Sequence, residues 1–248
     1  MKHLNKIYLI TFLILPLLSL TSCESGDASF DVSNPSTSKG GSTATFALKN
    51  DYLYVVDTEN LMVFDTRNES DSKLINTIQV GWGVETIFPF QNLLLLGTQS
   101  GVFIYDVSSP ASPRYISDYQ HIVACDPVVT DGKYAYLTLR EGTACRRAIN
   151  ELQVLDMTDI TNPQLITQVN MSNPKGLALH GNMLYVCDEG VKVYDVSDQR
   201  NPVLIDQIQG IQANDIIYHR NQLLVTAEEG FYQFDIDNLQ QLSYYTYL

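Results

Sequence analysis

The chain has 248 residues, 45% of them hydrophobic, with 28 acidic and 15 basic residues and a formal net charge of −13 at pH 7. Nucleic-acid binding depends on Lys and Arg side chains that neutralise phosphates. A chain with this excess of acidic residues is therefore not expected to bind nucleic acid. Its length and apolar content suffice for a folded core.

The first 22 residues predict a signal peptide. MKHLNK is basic, and the apolar run at 7–20 contains Pro16 and is shorter than the ~20 residues that span a bilayer. Residues 20–23 (LTSC) resemble the bacterial lipobox, in which cleavage occurs before a cysteine that carries lipid. This resemblance implies a lipidated Cys23 and membrane attachment through acyl chains alone, at the outer membrane or cell surface. The alternative is an ordinary signal peptide with an incidental Cys23.

Residues 23–42 predict the lipidated cysteine and a flexible tether. The stretch 24–42 is rich in Ser, Gly, Asp and Pro and has few large apolar residues, a composition typical of linkers. Removing the signal peptide, whose only charged residues are two lysines, leaves the chain still more acidic. The remaining residues, 43–248, have the size of one all-β domain.

One phrase is repeated in this domain: IYDVSSPASP at 104–113 returns as VYDVSDQRNP at 193–202. Aspartates that end an apolar run recur about every 40 residues, with one longer interval of about 50, which is the period of a four-stranded propeller blade. These aspartates are Asp65, Asp106, Asp156, Asp195 and Asp235.

Each period contains four short apolar runs separated by turn residues, a pattern typical of strands. The fourth repeat, for example, reads KGLALHG, NMLYVCD, GVKVYDV and PVLIDQIQ. Five such sets predict an all-β fold, a β-propeller of about five four-stranded blades. We expect each repeated aspartate to accept a hydrogen bond from the backbone N–H two residues on, and the following proline to begin an outer edge strand.

The segments YLYVVD, MLYVCD and VYDVSDQRNPVLI resemble the LVIVD-repeat family of exported bacterial proteins. The resemblance covers nearly all of residues 43–248 and implies a β-propeller. It brings no agreed catalytic residues with it. The third repeat departs from the family pattern.

That departure is an insertion at residues 140–150, REGTACRRAIN, where the other repeats have loops of three or four residues. Its arginines form a basic island on an acidic protein. We expect them to contact a ligand. They are Arg140, Arg146 and Arg147.

The cysteines support this interpretation of the insertion. Cys145 lies within it, and Cys125 lies just before the first strand of the same repeat. In an exported protein a disulfide between them is chemically allowed and would hold the insertion in place. Cys187 would then be a free buried thiol. The alternative is a reduced Cys125 that acts as a nucleophile with His121 as base.

In a propeller, the loops between strands two and three and between consecutive blades lie on one face, around the channel mouth, and binding residues are expected there. Equivalent positions at the start of strand one should form a ring on this face. They are Glu85, Asp126, Lys175 and Asn214, with Asp215 adjacent. The ring is either a site for a small ligand or ion, or a hydrated channel whose groups bond one another. A lysine in the ring argues against Ca²⁺, and we predict no metal or cofactor.

Trp82 is the only tryptophan and precedes this ring, between Gly81 and Gly83. If exposed, it would suit sugar stacking or a protein-binding hot spot. If buried, it would pack between blades.

No G-x-S-x-G, H-E-x-x-H, P-loop or C-x-x-C motif is present, so no catalytic residue is assigned. The sequence favours a membrane-anchored, non-enzymatic module that binds a protein or a glycan through Trp82, the insertion and the ring. The alternative is a propeller hydrolase or lyase acting on a sugar or lactone, with Glu85 and Asp126 as acid and base. A purely architectural role is the third possibility.

Overall fold

The computed structural model describes residues 41–68, 70–120, 127–141 and 149–247. By its internal contacts the chain divides into Met1–Asn34 and Pro35–Leu248, and every described residue belongs to the second unit. Several residues singled out above lie outside the described ranges, so the lipidation, disulfide and ligand contacts expected of them stay predictions. They are Cys23, His121, Cys125, Asp126, Cys145, Arg146 and Arg147.

Twenty strands form five antiparallel sheets of four, and each sheet is one blade of a five-bladed β-propeller, as predicted. Blade 1 contains β1 (Phe46–Lys49), β2 (Tyr52–Val56), β3 (Asn60–Asp65) and β4 (Lys73–Gln79). Blade 2 contains β5 (Val84–Phe90), β6 (Leu93–Thr98), β7 (Gly101–Asp106) and β8 (Arg114–Gln120). Blade 3 contains β9 (Val128–Thr130), β10 (Tyr134–Leu139), β11 (Glu151–Asp156) and β12 (Gln164–Asn170).

Blades 4 and 5 complete the series. Blade 4 contains β13 (Leu177–His180), β14 (Met183–Cys187), β15 (Val191–Asp195) and β16 (Val203–Ile208). Blade 5 contains β17 (Ala213–His219), β18 (Gln222–Ala227), β19 (Gly230–Asp235) and β20 (Gln241–Thr246). No helix long and apolar enough to cross a bilayer occurs in the part of the chain that the structure describes.

The repeated aspartates form the turns expected of them. Each ends the third strand of its blade and accepts a hydrogen bond from the backbone N–H two residues on. In blade 4, for example, Ser197 N donates to Asp195 Oδ1 over 2.8 Å, and in blade 3 Thr158 N donates to Asp156 Oδ1 over the same distance. The same bond is made at Asp65, Asp106 and Asp235. The repeated phrase is therefore a scaffold element.

Adjacent blades are joined by apolar clusters. Alternate side chains of a strand point to opposite faces, so each of blades 2, 3 and 4 packs one face on the blade before it and the other on the blade after it. Four clusters are present among the described residues, at the junctions of blades 1 and 2, 2 and 3, 3 and 4, and 4 and 5.

The junction of blades 5 and 1, the 5–1 junction, differs from the other four. Among the described residues no apolar cluster joins these two blades. Phe46 of β1 is 60% exposed, whereas Ile87 and Ile216, at the equivalent position of blades 2 and 5, are 0% and 1% exposed. The leading face of blade 1 therefore contributes much less buried apolar surface than the same face of its neighbours.

A pair of equivalent leucines tests this difference. Leu223 in β18 of blade 5 and Leu53 in β2 of blade 1 occupy the same position in their blades. Leu223 is fully buried against blade 4, whereas Leu53 is only half-buried at the 5–1 junction. Removing a fully buried leucine side chain costs about 2–5 kcal/mol. We expect Leu223→Ala to lower the free energy of unfolding by that amount, and Leu53→Ala by less than half as much, in urea titrations. Equal losses of unfolding free energy would contradict the difference in packing between the two junctions.

Candidate functional site

Two sets of loops meet on the channel-mouth face, which is formed by the strand two-to-three loops and the linkers between blades. Val80 N donates to Glu59 O over 2.9 Å, and Glu228 N donates to Gln212 O over 3.0 Å. Each bond joins a loop of one set to a linker of the other. The face is thus held together by backbone hydrogen bonds and presents its side chains from fixed positions.

Trp82 is exposed on this face, with 67% of its surface accessible. Its backbone is fixed, because Gly81 N donates to Glu59 O over 3.2 Å and Gly83 N donates to Thr58 O over 2.7 Å. Both glycines have positive φ angles, 129° and 86°, a conformation that residues with a Cβ rarely adopt. The sequence left open whether Trp82 is exposed or packed between blades, and the structure shows that it is exposed.

The described members of the predicted ring bond to their neighbours. Lys175 Nζ donates to Asn214 Oδ1 over 2.6 Å and lies 3.5 Å from Glu228 Oε1, so the members in blades 4 and 5 do meet. Glu85 Oε1 accepts a hydrogen bond from Gln99 Nε2 of its own blade over 2.9 Å. The structure brings Lys175 and Asn214 together, and it gives Glu85 a partner that the sequence did not indicate.

Asp215, next to the ring, is half-buried and contacts residues near the start of the described chain. Thr43 Oγ1 donates to its Oδ2 over 2.6 Å, and Ser42 Oγ donates to its Oδ1 over 3.2 Å. Leu177 N in turn donates to Ser42 Oγ over 2.8 Å. The Asp215 clasp, meaning Asp215 with Ser42 and Thr43, therefore links blade 5 to the start of blade 1. Burial raises the pKa of the Asp215 carboxyl, although the two hydroxyls and the Ile216 N–H oppose the shift.

The clasp includes a residue that the sequence assigned to the tether. Ser42 was expected to belong to the tether, but it is buried and bonded to blades 4 and 5. Sequence reasoning missed this role because Ser and Thr before a strand are typical of linkers. The partner carboxyl lies more than 170 residues away, and no local pattern reveals such a contact.

Another carboxylate on the channel-mouth face, in blade 4, is fully buried. Asp188 is 1% exposed and accepts hydrogen bonds from the backbone N–H groups of Ser172 and Asn173, and Lys192 Nζ lies 2.7 Å from its Oδ2. These contacts hold the linker between blades 3 and 4 in place. Asp188 thus supports the face and does not present a group to a ligand.

Arg140 and Cys187 are the other described residues that the sequence singled out. Arg140 is half-buried at the end of β10, and the insertion that follows lies mostly outside the described residues. Cys187 is a free, buried thiol, as predicted, and burial raises its pKa. His180 stacks on Tyr218 with ring centroids 3.7 Å apart. In the described ranges no three His, Cys, Asp or Glu side chains form a group suited to a metal ion.

The pKa of Asp215 gives a prediction with a defined sign. A folded-state pKa above the ordinary value of 3.8 means that the folded chain binds the proton more tightly than the unfolded chain. The resulting stabilisation is complete below about pH 3.8 and is lost as the pH rises through the folded pKa. We therefore expect the unfolding free energy of the wild type, relative to Asp215→Asn, to fall between about pH 4 and neutral pH in urea titrations.

Asp195→Asn is the matched control, because the Ser197 N–H lowers the pKa of Asp195. That stabilisation is present above pH 3.8 and is lost as the pH falls, so the wild type should gain stability relative to this variant as the pH rises. Parallel pH profiles of the wild type and Asp215→Asn would contradict the assignment of a desolvated carboxyl to the clasp.

Comparisons with known proteins agree with the architecture. The family model described as the LVIVD repeat matches residues 40–79 and 173–209, within the first and fourth repeats. No curated protein has a sequence similar enough to count as a relative.

Solved structures share the fold at low sequence identity. A Lactobacillus plantarum protein is 15% identical, with a TM-score of 0.60 over 79% of this chain and 67% of that one. The periplasmic gluconolactonase of Pseudomonas aeruginosa is 13% identical, with a TM-score of 0.58 over 79% and 66%. Hsv2 of Kluyveromyces lactis is 11% identical, with a TM-score of 0.54 over 79% of this chain and only 59% of its own. This chain is thus similar to about three fifths of Hsv2, and these likenesses establish the fold alone. Together, the five blades and the repeat match identify the chain as a five-bladed β-propeller that contains LVIVD repeats in its first and fourth blades.

Proposed function

We propose that this protein is an exported, lipid-anchored β-propeller that binds a protein or a glycan through its channel-mouth face and catalyses no reaction. The observation that carries the proposal is Trp82, the only tryptophan, exposed on a turn whose backbone is fixed. The lipobox-like sequence before Cys23 supports the membrane anchor.

An exposed tryptophan on a rigid turn suits recognition. Burial of apolar surface contributes about 25 cal/mol per Å², and an aromatic side chain buries about 150–250 Å², so leaving the indole in water forgoes several kcal/mol. A partner that covers it recovers that free energy. Because the turn is already ordered, little further conformational entropy is lost on binding.

The ring supports binding in a different way. The carboxylates of Glu85 and Asp215 accept hydrogen bonds from groups of the chain itself. Such bonds fix the side chains and suit a preformed polar surface on the channel-mouth face more than repeated proton transfer.

A hydrolase or lyase acting on a sugar or lactone is the second candidate, favoured by one observation. Burial raises the pKa of Asp215, and general acids in active sites are commonly carboxyls whose pKa is raised in this way. This candidate requires turnover of lactones or glycosides that Asp215→Asn and Glu85→Gln each reduce at least ~100-fold with the fold intact.

Replacement of Trp82 tests the binding proposal. We expect Trp82→Ala in the full-length lipidated protein to weaken retention of the partner at least ~10-fold, because central interface tryptophans contribute about 2 kcal/mol or more. The measurement is cross-linking in whole cells followed by quantitative mass spectrometry, with an array of bacterial glycans probed in parallel.

Tyr115→Ala is the matched control, since Tyr115 is also an exposed aromatic residue, at 47%, but lies near the start of β8, beside the Asp106 turn at the opposite end of blade 2. It should leave retention unchanged. Equal retention by the wild type and Trp82→Ala, of proteins and glycans alike, would contradict binding through this face.

A further inference from the structure

The third strand of blade 3 begins with a charged residue, Glu151, five residues before Asp156. The residue five positions before the repeated aspartate is glycine in blades 2, 4 and 5 (Gly101, Gly190 and Gly230) and asparagine in blade 1 (Asn60). A Cβ added to Gly101 would collide with the carbonyl oxygen of Tyr119 in β8, so blade 2 has no room for a side chain here. Blade 3 has opened this position and placed a carboxylate in it.

The carboxylate of Glu151 lies in a groove between blades 2 and 3. The groove has a volume of about 300 Å³, at the lower end of the range for ligand pockets. Its apolar walls are formed by Tyr119 of blade 2 and by Leu139, Ile149 and Leu165 of blade 3. All four wall residues lie in the described ranges.

Two glutamines fix the carboxylate in the groove. Gln153 is only 3% exposed; its Oε1 accepts a hydrogen bond from Tyr119 Oη over 3.1 Å, and its Nε2 donates to Glu151 Oε1 over 2.6 Å. Gln168 Nε2 donates to the same oxygen over 3.0 Å. The buried amide and the carboxylate therefore form a preorganised polar pair next to an apolar wall.

Within the described ranges, the charge of Glu151 has no cationic partner. Both of its hydrogen-bond donors are neutral amides, and no Lys or Arg nitrogen among the described residues lies within salt-bridge distance of it. Asp188 of blade 4 shows the contrast, because Lys192, at the position equivalent to Gln153, pairs with that carboxylate. Glu151 thus holds a fixed negative charge that no cation of the described residues pairs with.

We propose that this groove binds an arginine or lysine side chain presented by a partner polypeptide, an inference that rests on the proposed binding function and specifies its partner. The methylene stem of such a side chain would pack on Ile149 and Leu165, over the buried Leu139, and its cationic head would pair with Glu151. The net charge of −13 also favours approach of a basic partner.

Small peptides provide the test. The probes are acetyl-Gly-Arg-Gly-amide and the same peptide with citrulline, which has nearly the shape of arginine but no charge. The readout is methyl NMR of the full-length lipidated protein in detergent micelles, followed at Leu139, Ile149 and Leu165. We expect the arginine peptide to shift these signals with at least ~10-fold higher affinity than the citrulline peptide.

Glu151→Gln is the decisive variant, because its side-chain oxygen can still accept the bonds from Gln153 and Gln168 while the charge is removed. It should lower the affinity for the arginine peptide at least ~5-fold. Asp51→Asn, which removes an exposed carboxylate at the turn between β1 and β2, should leave the affinity unchanged. Equal affinities of the two peptides, or an unchanged affinity of Glu151→Gln, would overturn the proposal. Shifts produced only by neutral glycans would also overturn it.

The two proposals fail in different ways. Loss of partner retention in Trp82→Ala tests the channel-mouth face and does not involve Glu151. If the arginine peptide binds through Glu151 while Trp82→Ala retains its partner fully, the groove proposal stands and the Trp82 proposal is wrong. If Trp82→Ala loses its partner and the two peptides bind equally, the Trp82 proposal stands and the groove proposal is wrong.

Discussion

The packing of each blade on the next is the constraint on which this structure depends. A single four-stranded sheet has two apolar faces and cannot bury both by itself. In blade 2, Leu94 packs toward blade 1 and Leu95 toward blade 3, and both are fully buried. Alternation along one strand thus joins three blades. The loops of the channel-mouth face lie at the ends of these strands, so the position of Trp82 depends on buried leucines that no ligand touches.

The 5–1 junction replaces much of this apolar packing with polar contacts. Asp215 accepts hydrogen bonds from Ser42 and Thr43, and burial makes its negative charge costly, as its raised pKa shows. The same residue borders the channel mouth next to Asn214 and Lys175. Stability and the polarity of the candidate site are therefore coupled through one carboxyl group, and a substitution there will affect both.

The sequence predicted the architecture because the signals that determine it are local and repeated. The aspartate turns at Asp106 and Asp195 and the alternation in their strands identify a blade without reference to the rest of the chain. The exposure of Trp82 could not be decided, since it depends on how a glycine turn lies against Glu59 of another loop. The contact of Ser42 with Asp215 joins two residues that are 173 positions apart in the sequence. The groove at Glu151 lies where blades 2, 4 and 5 have a glycine. This difference is visible when the repeats are aligned, but its meaning depends on knowing that Gly101 leaves no room for a side chain.

The polar 5–1 junction also bears on how such domains change in size during evolution. Repeat proteins grow and shrink by duplication or deletion of whole units, and each event must break one interface and form another. Breaking a junction between fully packed blades exposes two apolar faces at once. At the 5–1 junction, Phe46 and Leu48 are already largely exposed, and the clasp consists of three side chains. Insertion or loss of a blade there would cost the least stability, which makes this junction the place where the blade number of a related chain can most readily differ.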